Sequence, residues 1–223
     1  MKKGDAIWAM GLLAWAIVLL VPVTRNGFMA ITGAHPYAGG FFKFAILAMM
    51  GDLLGERILH GEWHMPKGAG YRILIWGIVG MMVTLSFTLY MGGAAVAQAS
   101  GRLPFPNSSL ALAFFGSFTM NVTFGPMMMV FQRFSGLYID LKYEKKGQKI
   151  TINELIDRND WHSLVGFNWL ITCPFLWIPL HTLVFLMPSE YRVLASAFLS
   201  VIFGFLMAIA KKKSSNEIVV SNE

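Results

Sequence analysis

A chain of 223 residues that is 56% apolar and only 13% charged, with a mean hydropathy of +0.57, carries too little charge to coat a water-soluble globule. It has the length of one membrane domain and no room for a second, soluble one. The net charge of +6 raises nucleic acid as a partner, but the basic residues fall in short segments between apolar runs rather than on one face, which excludes a nucleic-acid footprint. Cys173 is the only cysteine, so no intrachain disulfide forms. It lies in an apolar run and reads as a small packing residue.

Crossing hydrocarbon takes about 20 mostly apolar residues, because every backbone polar group must be satisfied within its own helix. The first such run, 6–23, follows Lys2 and Lys3. It is longer than the roughly 7–15 residues of a signal-peptide core and no cleavage site follows it promptly, so it reads as a span. Asn26-Gly27 marks a turn, and the text up to Pro36 separates this run from a second span, 37–54. Lys43 sits about one and a half turns into that span, and Asp52 lies near its far end. Nine residues apart, the two fall on opposite helix faces. Ionisable groups inside spans tend to face the bundle interior or a water path, which makes both pore candidates. The plainer readings are a Lys43 that snorkels to the outer interface and an Asp52 that serves Arg57 or another helix. Gly51 and Gly55 flank Asp52 at the spacing that lets a second helix approach closely.

His60 and His64 have the i, i+4 spacing of a helical metal pair, but Gly61-Glu62-Trp63 between them reads as a loop and no further ligands follow. No metal or other cofactor is expected. The third span, 73–96, holds the flat run Met91-Gly92-Gly93-Ala94-Ala95, another surface for helix packing. After Gly101-Arg102-Leu103-Pro104 comes the fourth span, 110–131, with Asn121 and Thr123 midway along it and placed to share one interior. The inner loop, 133–162, opens by continuing the fourth helix over 135–143. Thr151 and Glu154 then have capping-box spacing, and Ile152, Leu155 and Ile156 fall on one face of a surface-lying amphipathic helix. Trp161 marks the membrane interface. The fifth span, 164–187, is the least ordinary: Asn168, Trp169, Thr172, Pro174, Trp177, Pro179 and His181 interrupt it. Two prolines remove backbone donors and invite a kink whose freed carbonyls can line a cavity. Pro188-Ser189-Glu190 links it to the sixth span, 193–210, and the tail 214–223 is polar and expected to be disordered.

With six spans, both termini and the second and fourth loops share one side. That side collects fourteen of the eighteen Lys and Arg, three lie opposite, and Lys43 lies within a span. The bias predicts an all-α, polytopic transmembrane helical bundle with N and C termini cytoplasmic.

The order of several short motifs resembles the Mpv-type family, a small peroxisomal membrane protein and its mitochondrial inner-membrane relatives. The motifs are His35-Pro36 and Gly51-Asp52 about the second span, Trp161 before the fifth, then Trp177, Pro179, Phe185, Pro188 and Arg192 leading into the last. The resemblance covers 35–210 and makes 6–23 an added span. The family's Trp-Pro is interrupted by Ile178, its usual Gln stands as His181, and the Asn before its Phe stands as Val184. The resemblance implies a channel for small solutes or metabolites.

The expected function is accordingly a channel or facilitator for small solutes, with Lys43, Asp52, Asn121, Asn168, Trp177 and His181 as pore candidates. The alternative is a non-conducting scaffold that binds lipids or a protein through its glycine faces and basic loops. No catalytic or nucleotide-binding motif appears, so no enzyme is expected. Membrane lipids, a small solute and a second copy of the chain are the expected partners. The location is the cytoplasmic membrane if the chain is bacterial, and the mitochondrial inner or peroxisomal membrane if eukaryotic.

Overall fold

Hydrocarbon leaves the backbone no partner but itself, and the chain answers with helix along 85% of its length and no strand among the described residues. The computed structural model describes residues 2–220, with side chains through residue 206 and at Ile209. Its elements are α1 (Lys3–Leu20), α2 (Pro22–Ala34), α3 (Pro36–His60), α4 (Ala69–Ala99), α5 (Ser109–Glu144), α6 (Ile152–Arg158), a π-helix π1 (His162–Trp177), α7 (Ile178–Leu186) and α8 (Ser189–Val220). Six helices are long and apolar enough to cross a membrane: α1, α3, α4, α5, the continuous π1–α7 and the first part of α8.

Local chemistry sets the boundaries. Pro22 and Pro36 occupy the first turns of α2 and α3, where a missing N–H costs nothing. Gly61 ends α3 and Gly68 precedes α4, both at positive φ, which only glycine adopts freely. The Ser108 hydroxyl accepts the Ala111 N–H and caps α5. Thr151 and Glu154 form the expected capping box of α6, and Lys145 pairs with Glu154. That pairing lowers the Glu154 carboxyl to about 2, so the cap stays charged in mild acid.

Two readings from the sequence are corrected. Asn26-Gly27 is no turn, because both lie inside α2; the chain bends instead at Val21 and His35, each followed by a proline. The polar tail does not separate after Ala210, since α8 runs on to Val220, and 221–223 lie outside the described residues. On α6, Leu155 is buried while Ile152 and Ile156 are exposed, an apolar edge suited to lipid.

Packing centres on α3, which lies against both α8 and α4, with α5 and then π1–α7 completing the bundle. Glycine makes both α3 contacts possible. A Cβ at Gly80 would lie 2.2 Å from the Gly40 carbonyl oxygen, and one at Gly204 would lie 3.0 Å from that of Gly51. Phe44, Leu47, Val79, Phe87, Phe185 and Ala197 belong to the core these crossings enclose. A Cβ at Gly92 or Gly93, by contrast, would meet nothing among the described residues, and both are exposed, so these two glycines of α4 face outward while Ala94 beside them is buried.

The helix pair α1–α2 is added outside this core. Near the start of α1, Asp5 accepts from Arg57 Nε at 2.8 Å and Trp63 Nε1 at 2.8 Å. Arg57 is therefore the partner of Asp5, not of Asp52. Further along, Trp8 Nε1 donates to the Met50 carbonyl at 2.9 Å, and Trp15 meets Phe28 and Phe198 edge-on.

Gly80→Leu should therefore force α3 and α4 apart and destabilise the fold by about 1–3 kcal/mol or more. Gly92→Ala, which meets no neighbour, should be neutral or slightly stabilising. Thermal unfolding of the purified protein in detergent checks both.

Candidate functional site

The bundle encloses a cavity of about 450 Å³ bounded by α3, α4, α5, π1, α7 and α8. One end reaches exposed Arg133 and half-exposed Asp140, beside the connections that carry Lys67, Lys145, Lys146 and Lys149. The other ends on His181, Phe87 and Ser196, within the bundle. Along α4 the lining runs from Arg72 to Phe87, about 22 Å at 1.5 Å per residue. The cavity is therefore a deep pocket reached from the lysine-rich end.

Its floor is a chain of hydrogen bonds between helices. Asn121 Nδ2 donates to the Ser117 carbonyl at 2.8 Å and contacts the Ser117 hydroxyl at 3.2 Å. That leaves Asn121 Oδ1 to accept from His181 Nδ1 at 3.1 Å. A proton on Nδ1 makes Nε2 the acceptor, facing the Ser196 hydroxyl at 3.4 Å. Ser117 passes the chain on, its hydroxyl donating to the Ile178 carbonyl at 2.7 Å. All four side chains are buried, so each needs these partners to offset the loss of water. The relay ties α8 to α7, α7 to α5, and α5 back to α7.

Aromatic rings surround the floor. Phe87 and Phe185 meet edge-to-face with centroids 4.8 Å apart, and His181 stacks on Trp177 at 5.5 Å. The Arg192 guanidinium lies over Phe185 at 5.9 Å, with its Nε held by the Met187 carbonyl.

Nearer the mouth, Trp76 Nε1 donates to Asp52 Oδ2 at 2.8 Å. Arg72 pairs with Asp140 at 2.6 Å, and Arg133 Nε donates to Asn159 Oδ1 at 3.2 Å. Among the described residues no cation comes within ion-pairing distance of Asp52.

The fifth span shapes one wall. Over His162–Trp177 it widens into a π-helix containing Pro174, and it tightens to α-helix at Ile178, one residue before Pro179. A π turn commonly marks a functional site in a helix. Here it carries Leu164, Asn168, Thr172 and Trp177 along the cavity. Of the two prolines expected to kink the span, Pro174 lies within the wider helix and Pro179 in the first turn of the α-helix that follows.

Five of the six pore candidates line this one cavity: Asp52, Asn121, Asn168, Trp177 and His181. Lys43 does not. It is 5% exposed, directed at α2, where its ammonium reaches Thr32 Oγ1 at 3.2 Å and lies 5.1 Å from the Phe28 ring centre. It does not snorkel, because α2 covers it. Thr123 also departs from the expected interior: it is exposed and bonds to the Tyr90 hydroxyl at 2.6 Å.

Of the motif residues, Phe185 is among the aromatic rings around the floor, Gly51 at a helix crossing, and Pro36 and Pro179 in first turns. His35 precedes α3, Pro188 precedes α8, and Trp161 packs on Phe134 with centroids 6.1 Å apart. His60 and His64 lean on Glu56 and Glu62 respectively. Among the described residues no three His, Cys, Asp or Glu side chains are set to hold a metal.

Trp76, Ser117, Ser196 and Phe87 were missed from the sequence. An indole N–H within a span needs an acceptor, and that signal pointed from Trp76 to a partner such as Asp52.

No family model matches the chain, and no curated protein or solved structure matches it.

Asn121→Leu would strand the buried His181 Nδ1 proton and the Ser117 hydroxyl network, and should cost about 1–3 kcal/mol of stability. Asn153→Ala, at an exposed position on α6, should stay within about 0.5 kcal/mol. Thermal unfolding of the two variants in one detergent makes the comparison.

Proposed function

We propose that the chain is a membrane facilitator for small solutes, which enter the central cavity from its lysine-rich end. The observation that carries this reading is the cavity itself: about 450 Å³, reaching from exposed Arg133 to the buried His181–Asn121–Ser196 floor. Ligand pockets occupy roughly 300–1,000 Å³, and intramembrane polar groups that line a cavity mark solute paths. The pairing of Phe87 at the floor with Phe185 beyond it supplies the closed far side that a facilitator open to one side needs. The floor's polar groups are engaged with one another, which supports passage or binding over catalysis.

The excess of Lys and Arg at the mouth end supports placing that end, and both termini, in the cytoplasm. A bacterial chain then lies in the cytoplasmic membrane. The order of motifs from His35 to Arg192 supports kinship with the Mpv-type family, whose eukaryotic members would place it in mitochondria or peroxisomes. One observation favours the scaffold reading: Gly92 and Gly93 present an exposed, unpartnered small-residue face, to which a lipid or a helix of a second copy can pack closely.

Liposomes holding the purified protein should release small solutes faster than protein-free vesicles. Gly125 lines the cavity, and Gly125→Leu, which fills it, should cut release by roughly tenfold or more. Gly92→Leu on the outer face should leave release unchanged. If no ion or metabolite passes above background, the facilitator reading is lost and the scaffold reading stands. For orientation, Gln132→Cys in a Cys173→Ala background should react with an impermeant maleimide only from the cytoplasmic side.

A further inference from the structure

We propose that the cavity is a binding site for a small organic cation, an ammonium with an apolar or aromatic body, and that Asp52 is its counter-ion. The proposal rests on the reading that solutes occupy this cavity, and adds their chemical class.

Among the described residues four charged side chains line the cavity: Asp52, Arg72, Arg133 and Asp140. Arg72 and Asp140 neutralise each other at 2.6 Å. Arg133 is exposed at the mouth and leans on Asn159; in water a pairing there is worth little. Asp52 differs from all three. It is half-buried and lies one helical turn deeper than the ion pair, held by Trp76, four residues beyond Arg72 on α4. Its Oδ2 accepts the indole N–H, and no described residue bonds to Oδ1. A carboxylate away from bulk water attracts a cation far more strongly than one at the surface.

The floor argues against an anion. An anion needs free donors, and the donors of Ser117, Asn121, His181 and Ser196 are each committed to the next group in the relay. The amides of Asn168 and Gln132, which also line the cavity, accept as readily as they donate.

The walls argue for an organic rather than an inorganic cation. Phe44, Phe87, Phe124, Trp76, Trp177 and Phe203 present aromatic surface to the cavity, and ring faces attract ammonium groups. Met120, Met128 and Met129 add adaptable apolar surface. A hydrated metal ion would find one unpaired carboxylate and, among the described residues, no cluster of three His, Cys, Asp or Glu to replace its water. A body the size of a phenyl ring fills part of the 450 Å³ with apolar contact.

The test compares three phenyl-bearing probes of similar size by calorimetry on the purified protein in detergent: 2-phenylethylammonium, 2-phenylethanol and phenylacetate. The ammonium should bind most tightly, and Asp52→Asn should weaken it by about ten- to a hundredfold while leaving phenylethanol unchanged. Asp52→Glu should retain the preference for the ammonium. The asparagine keeps an acceptor for Trp76, and the three-probe ranking on the unaltered protein needs no variant at all. Tighter binding of phenylacetate, or an equal loss of ammonium and alcohol in Asp52→Asn, overturns the proposal. Binding of the ammonium without its passage into liposomes upholds the site and counts against the facilitator reading. Passage of other solutes with no ammonium binding does the reverse.

Discussion

Backbone touches backbone twice along α3, at Gly40 against Gly80 and at Gly51 against Gly204, and the rest of the bundle is arranged around that pair of contacts. Helices in lipid gain little from hiding apolar side chains, so close approach through small residues is what holds them. The two glycines of α3 are eleven residues apart, which returns them to within about 20° of one another around the helix. One stripe of α3 therefore serves two neighbours, α4 at one height and α8 at another. Where α4 and α8 part, the cavity opens between them, lined by Trp76 and Val79 on one side and Ser200 and Gly204 on the other. Asp52 follows Gly51 directly and so lies at the edge of that opening.

The same geometry explains which features were legible in the sequence. Hydropathy alone located all six membrane-length helices, because length and apolarity are properties of each segment by itself. Asp52, Asn121 and His181 were found because polar groups in apolar runs are conspicuous wherever they face. Lys43 was equally conspicuous and was misplaced. Its position depends on α2, and α2 was hidden by Asn26-Gly27, a dipeptide that turns the chain only where no better packing is offered. In the fold, that segment continues as helix and lays Phe28 and Thr32 over Lys43. Gly92-Gly93 and Gly51-xxx-Gly55 looked alike as strings; only the second meets another helix. Small residues permit contact without specifying with whom.

The relay from Ser196 through His181 and Asn121 to Ser117 was legible only in part, for a related reason. Serines are common and inexpensive in spans, so neither Ser117 nor Ser196 stood out. What gives them a role is the meeting of α5, α7 and α8 at one level, which no local signal encodes. Their hydrogen bonds have a single consistent direction, from Ser196 to the Ile178 carbonyl, and none of the four has a hydroxyl or amide proton left over for a bulky guest. Such a floor is polar enough to hold three helix segments in register and saturated enough to act toward a ligand chiefly as surface.

The facilitator reading proposed above therefore requires movement of the elements that the relay joins, rather than of side chains alone. Phe87 and Phe185 meet edge-to-face, and Phe185 rides on α7 with His181. The segment that meets α7 is π1, whose wide turns and Pro174 lack the regular ladder of an α-helix. A tightening of one π turn would rotate α7 about its axis and carry His181 and Phe185 together, breaking the His181 bonds to both Asn121 and Ser196. The α3 crossings involve Gly40, Gly80, Gly51 and Gly204, none of which belongs to the relay. Close glycine contacts beside Asp52 and an irregular, proline-bearing helix beside His181 thus give the two ends of the cavity lining different backbone regularity.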